Sequence, residues 1–202
     1  MQKFESLRES NLVELQDDRS RAIELLRATE WNPENGLPQS LFLLVSGLIP
    51  IPNVDLLVVN EKNQLLLSRR NDEYFENSWH IPGGCMRFGE DFATRIQETA
   101  VRELQTKVTF EEEPIAVRSV VRGLNTKQKY PHERGHTVAI LFKCKLPDGF
   151  QINNADLTEQ DNGYLKWFDT LPEDFMKIQE IYADVLSDWK PKKENKYGNM
   201  EK

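Results

Sequence analysis

The sequence predicts an α/β (α+β) fold, and three observations point to it. Apolar β-type runs alternate with segments whose apolar residues recur at helical spacing. Hydrophobic residues make up 39% of the chain and charged residues 29%, the proportions of a packed domain and not of a disordered or membrane-embedded chain. The 202 residues suit one domain with decorations and are short for two. The expected division is an N-terminal helical extension over 1–45, a main domain over 46–190 and a polar tail over 191–202.

From Leu12 to Trp31, Leu15, Ala22, Ile23 and Leu26 fall at helical spacing before "NPENGLP" stops the pattern. This extension is read as a packing or dimerisation element, with a substrate lid as the alternative. "VDLLVVNEKNQLLLSRR" then gives two apolar runs around a turn-rich centre, a hairpin signal. A charged helix follows "WHIPGG". "PIAVRSVVRG", "HTVAILFKCK" and "GYLKWFD" read as further strands, separated by two long polar loops of the kind that carry ligand contacts. In "PEDFMKIQEIYADVLSDW", Phe175, Ile178, Tyr182, Val185 and Leu186 share one helical face, so a terminal helix is expected to cover the sheet.

The formal net charge of -7 argues against general affinity for nucleic acid or anionic membrane. An anionic ligand must therefore be held locally. Cys85 and Cys144 form no CxxC pair and no disulfide framework, which suits reduced thiols in the cytoplasm. The greasiest run is broken by Pro50, Pro52, Asn53 and Asp55, and no membrane span is expected.

Within "DFATRIQETAVREL", Phe92, Ile96, Ala100 and Leu104 climb one side of the helix while Arg95, Glu98 and Arg102 lie on another. Glu103 falls between the directions of Phe92 and Ile96, so its carboxylate points toward whatever the helix packs on. A lone buried carboxylate is costly. It must pair with a cation such as Arg70, coordinate a metal, or hold a proton. Glu90 and Asp91 open the helix, where acids cap the chain and complement the macrodipole. The preceding glycines also let backbone carbonyls and Glu90 face one space, a hard oxygen site suited to Mg²⁺ or Mn²⁺.

"GGCMRFGE" resembles the start of the Nudix box, Gx5Ex7REUxEExGU, with Gly84 and Glu90 in place. Read without a gap, "ETAVRELQT" fills the remainder, and Glu103 keeps its acid at the second position of the EE pair. This degenerate box is similar to that of the GDP-mannose mannosyl hydrolase branch, and the resemblance runs from about Asn53 to Asp169. It implies a Nudix fold, a mixed β-sheet between helices in an α/β/α sandwich, as the main domain. It also implies Asp55 near the sugar, Arg70 supporting the departing diphosphate, and a Mg²⁺ (or Mn²⁺) held by the Gly83 carbonyl, Glu103 and Gln160. Glu90 joins the metal candidates. The branch's histidine base is replaced here by Asp161. His136, at a loop-to-strand boundary, is read as either a ligand contact or a structural hydrogen bond. For His132 and His80 the structural reading leads. Trp79, Trp167 and Tyr164 are candidates to stack a base, with the core as the alternative. Of the adjacent arginines Arg69 and Arg70, alternation sends one away, and Arg69 is taken as solvated.

The implied function is Mg²⁺-dependent hydrolysis of a nucleotide sugar of the GDP-mannose or GDP-glucose type, releasing nucleoside diphosphate and sugar, by a homodimer. The alternatives are pyrophosphate hydrolysis of a nucleotide or nucleotide sugar, and a nucleotide-binding domain without catalysis.

Overall fold

In the computed structural model, residues 36–38, 49–72, 77–121 and 136–189 are described, with single positions at 21, 42, 45 and 46. Apart from Arg21, the expected N-terminal helix lies outside the described residues, as do the tail and His132. Among the described residues no helix is long and apolar enough to cross a membrane.

Strand β1 (Ile51–Val58) lies at the centre, paired parallel with β7 (His136–Lys145) and antiparallel with β4 (Gly83–Cys85). On its other side β7 pairs antiparallel with β5 (Thr109–Phe110) and β6 (Ala116–Val121). A second, antiparallel sheet places β2 (Leu65–Arg70) between β3 (Ser78–His80) and β8 (Leu165–Phe168). The expected β1–β2 hairpin is therefore corrected. A single Val59–Leu65 bridge closes the turn, and the strands then part into different sheets. Both runs are buried almost throughout, as suits strands covered on two faces.

Helix α1 (Phe92–Leu104) buries Ile96, Ala100 and Leu104 against Val54, Leu56, Ile140 and Phe142. Asp91 caps its start, Oδ1 accepting from the Thr94 N–H at 2.7 Å. Gln105 ends it in the left-handed region, at φ 57°. On the opposite face of the sheet, Leu57, Leu141 and Ala139 meet Trp79, Phe175, Tyr182 and Leu186. The expected single C-terminal helix is a 3₁₀ segment, Lys177–Tyr182, running into α2 (Ala183–Trp189). All five residues of its predicted apolar face belong to this second core. The layers are helix, sheets and helix.

Candidate functional site

Period-two alternation decides what β1 offers to each side. Val54, Leu56 and Val58 face α1, while Ile51, Asn53 and Asp55 line a cavity of about 540 Å³ on the other face. Phe42 and Ser46, from the stretch preceding β1, share its wall.

Asp55 is buried, at 3% exposure, and among the described residues no cation pairs with it. Its carboxyl accepts from Tyr182 Oη–H at 2.7 Å, Asn53 Nδ2 at 2.8 Å and, more weakly, Gln179 Nε2 at 3.5 Å. Burial raises its pKa to about 7, opposed in part by these three donors. Gln179 is itself fixed on the Ile81 backbone, accepting from the N–H at 2.7 Å and donating to the carbonyl at 3.0 Å. A Cβ on Gly83 would fall 2.2 Å from Asp55 Oδ1. Glycine is thus required there for the carboxyl to sit beside the strand.

The facing wall carries two arginines, each paired with a carboxylate. Arg102 donates from Nη2 to the Gly83 carbonyl at 2.9 Å and from Nε to Glu103 Oε1 at 3.0 Å. A Cβ on Gly84 would meet Arg102 Nη2 at 2.8 Å and Thr99 Oγ1 at 2.9 Å, so the second glycine makes room for this guanidinium. Arg70 lines the same cavity, its Nε bonded to Asp72 Oδ2 at 2.7 Å. His80 stands beside both arginines. Burial first, then the charge of Arg70, push its pKa down to about 3. Its Nδ1 lies 2.9 Å from the Ile81 carbonyl, which can only accept, so the neutral ring carries its proton there.

Four of the sequence candidates, Asp55, Arg70, Gly83 and Glu103, come together on this cavity. Glu90, His136, Gln160 and Asp161 do not. Glu90 Oε2 turns back to accept from the Arg87 N–H at 2.7 Å and lies 3.5 Å from Arg95, so it closes the loop before α1. His136 occupies the α1-facing side of β7 with Val138 and Ile140, and its Nε2 meets Ser119 Oγ at 2.7 Å. It is the neighbouring Thr137 that alternation turns to the cavity. Gln160 Oε1 faces Arg69 at 3.4 Å. Asp161 is exposed, and Oδ2 accepts from both the N–H and the hydroxyl of Thr158 at 2.7 Å. That local turn holds its pKa below the ordinary aspartate value. Asn162 and Gly163 reach the cavity in their stead.

Arg69 is also corrected. It is buried, ion-paired with Asp174 and stacked 4.9 Å over the Trp79 ring, because it lies across from Trp79 on the core face of β2. Trp79 is core, and Tyr164 packs against it edge-on at 6.3 Å.

The profile of the NUDIX domain matches residues 50–188. The chain belongs to the Nudix family. It is 26% identical over 159 residues to the low-salt glycan biosynthesis protein Agl8 of Haloferax volcanii, covering 76% of this chain and 93% of that protein. Among solved structures, a MutT NUDIX hydrolase from Burkholderia pseudomallei superposes with a TM-score of 0.49 at 19% identity, covering 67% of this chain and 97% of that one. A UDP-X diphosphatase gives 0.46 at 23%, covering 84% and 81%.

Nudix hydrolases generally use divalent metals such as Mg²⁺ or Mn²⁺. Such hard ions require several oxygen ligands, carboxylates foremost. Here Gly83 and Glu103 supply one carbonyl and one carboxylate, and both already accept from Arg102. Among the described residues no group of three or more His, Cys, Asp or Glu side chains is arranged to hold a metal. The donor set does not fit the ion that the Nudix box implies. Sequence reasoning missed Arg102, Gln179 and Tyr182. For Arg102 the signal was present, since a cation stands at the first position of the box's EE pair.

Proposed function

We propose that this Nudix domain hydrolyses a nucleoside diphosphate-linked sugar of the GDP-mannose or GDP-glucose type, releasing nucleoside diphosphate and sugar. One observation carries the reading. A single cavity joins a buried carboxyl whose pKa is about 7 to a wall bearing Arg70 and Arg102. The arginines suit a diphosphate, whose charge grows as it departs. Asp55, half ionised near neutrality, suits the deprotonation of water on the sugar side. Asp161, with its carboxylate tied to Thr158 and its proton affinity lowered, is the weaker base. The name of the Haloferax volcanii relative, a glycan biosynthesis protein, supports a sugar-linked substrate.

The test is incubation with a panel of nucleotide sugars in oxygen-18 water, followed by mass spectrometry of the products. Label on free sugar, with unlabelled nucleoside diphosphate, is expected and reports attack at carbon. Label on phosphate replaces this reading with pyrophosphate hydrolysis. Binding of nucleotide sugars without turnover replaces it with a non-catalytic binding domain. With Asp55 as base, kcat/KM rises with pH up to about 7 and then levels. A profile flat from pH 5 to 8 removes Asp55 from that role.

A further inference from the structure

The three acids of the box that end α1 are Thr99, Arg102 and Glu103 in this chain. Their formal charges are zero, plus one and minus one, which cancel. A dication there would have a guanidinium against its ligands. Arg102 meanwhile contacts two of the three ligands that the resemblance gives the metal, the Gly83 carbonyl and Glu103 Oε1. Among the described residues, its Nη1 donates to no protein acceptor, and its side chain is 47% exposed on the cavity wall.

We propose that the Arg102 guanidinium replaces the divalent ion, as a resident cation clamped by Gly83 and Glu103 whose remaining N–H groups bind the substrate's diphosphate directly. The inference deepens the nucleotide-sugar reading and rests on it for the identity of the anion. Three features beyond the hydrogen bonds agree with it. Gly84 is the residue that admits the guanidinium, since any Cβ would collide with Nη2. The Thr99 hydroxyl, buried and without a partner beside the same glycine, adds no negative charge. A guanidinium presents N–H groups in a planar fork that matches phosphate oxygens, so it can serve where an ion would otherwise bridge them. The exchange has a consequence for affinity. A metal-dependent site loses its diphosphate ligand when chelator is added, whereas this one retains it.

The test has two independent readouts on the full chain. In the first, Mn²⁺ is titrated without nucleotide and followed by electron paramagnetic resonance. Wild type is expected to show no site tighter than roughly millimolar, while Arg102→Glu, which restores the acid, gains a site about tenfold tighter or more. A tight stoichiometric Mn²⁺ site in wild type overturns the inference. In the second, GDP binding is measured by calorimetry in EDTA and in Mg²⁺. Wild type is expected to bind equally in both, with Arg102→Ala weaker in EDTA by about tenfold or more and Arg102→Lys between them. Binding that requires Mg²⁺, or an Arg102→Ala protein that binds as wild type does in EDTA, overturns it. Absence of GDP binding under every condition overturns the nucleotide reading and the diphosphate part with it. The Mn²⁺ titration alone then decides whether Arg102 is the resident cation.

Discussion

Asp55 links the site to stability through one proton. Its folded-state pKa is about 7, against an unfolded value near that of a free aspartate. Below about pH 4 both states hold the proton and the burial of the neutral acid costs little. Between about pH 4 and 7 Asp55 ionises in the unfolded chain and not in the folded one, so its own contribution to stability falls as pH rises. Above the folded pKa that loss is complete and amounts to roughly 4 kcal/mol. Asp55→Asn removes the titration. His80, whose folded pKa is pushed down to about 3, contributes the opposite slope over the same interval. The variant is therefore expected to gain stability relative to wild type as pH rises from about 4 to 7 in urea unfolding, although one hydrogen bond must be rearranged, since an amide offers a single acceptor oxygen to Tyr182 and Asn53. A stability difference between variant and wild type that stays constant over that interval would show that Asp55 does not titrate there. Tyr182→Phe acts in the opposite sense. It removes the strongest hydrogen bond to the carboxylate, so the pH at which kcat/KM levels moves upward.

At the scale of elements, α1 shows what the sequence revealed and what it withheld. Of the i, i+4 series, Ile96, Ala100 and Leu104 are buried as the helical period predicts, whereas Phe92, in the first turn, is 42% exposed; Asp91 caps the start. β7 occupies the ten residues of its predicted run. Periodicity reports such features because burial is averaged over a whole face. It did not reveal that Arg95 and Thr99 are buried too, along the flank that meets β4, because a charged residue in a polar position reads as solvent-facing. Arg95 is 1% exposed and donates to the Cys85 carbonyl at 3.1 Å. Asp55 is placed near the site by the family resemblance, whereas no signal in the sequence sets the phase of His136, which lies on the α1-facing side of β7 and bonds Ser119. Gln105 illustrates a further device. It holds φ 57° where the Nudix box has glycine, and among the described residues its side chain makes only long contacts with Asn153, at 3.4 and 3.3 Å. Gln105→Gly is expected to stabilise the protein by about 1 kcal/mol, because the Cβ strain of a left-handed residue is removed. Thermal unfolding checks this, and an unchanged or lower Tm would mean that the Asn153 contacts outweigh the strain.

For the whole molecule, the C-terminal segment has two tasks that most of the chain keeps apart. Its apolar face seals the core between the two sheets through Phe175, Tyr182, Leu186 and Trp189. Its polar residues Gln179 and Tyr182 fix Asp55 across 124 and 127 positions of sequence. Trp189 ties it again to the β1–β2 turn, donating from Nε1 to the Asn63 carbonyl at 2.9 Å and accepting from Asn63 Nδ2 at 2.7 Å. Such long-range contacts make the segment part of the cooperative unit and not an appendage that frays alone. Leu186, 1% exposed, is the probe of this coupling. Truncation to alanine leaves a cavity and is expected to cost about 2–5 kcal/mol. Urea unfolding followed by the fluorescence of a variant with Trp31 and Trp167 replaced by Phe, so that Trp79 and Trp189 in this core are the reporters, should give the same midpoint as far-UV circular dichroism, which senses the sheets. A fluorescence transition that precedes the dichroism transition would identify the segment as a separately unfolding unit. Asp55 would then lose its buried setting before the sheets melt, and with it the raised pKa on which its role as a base depends.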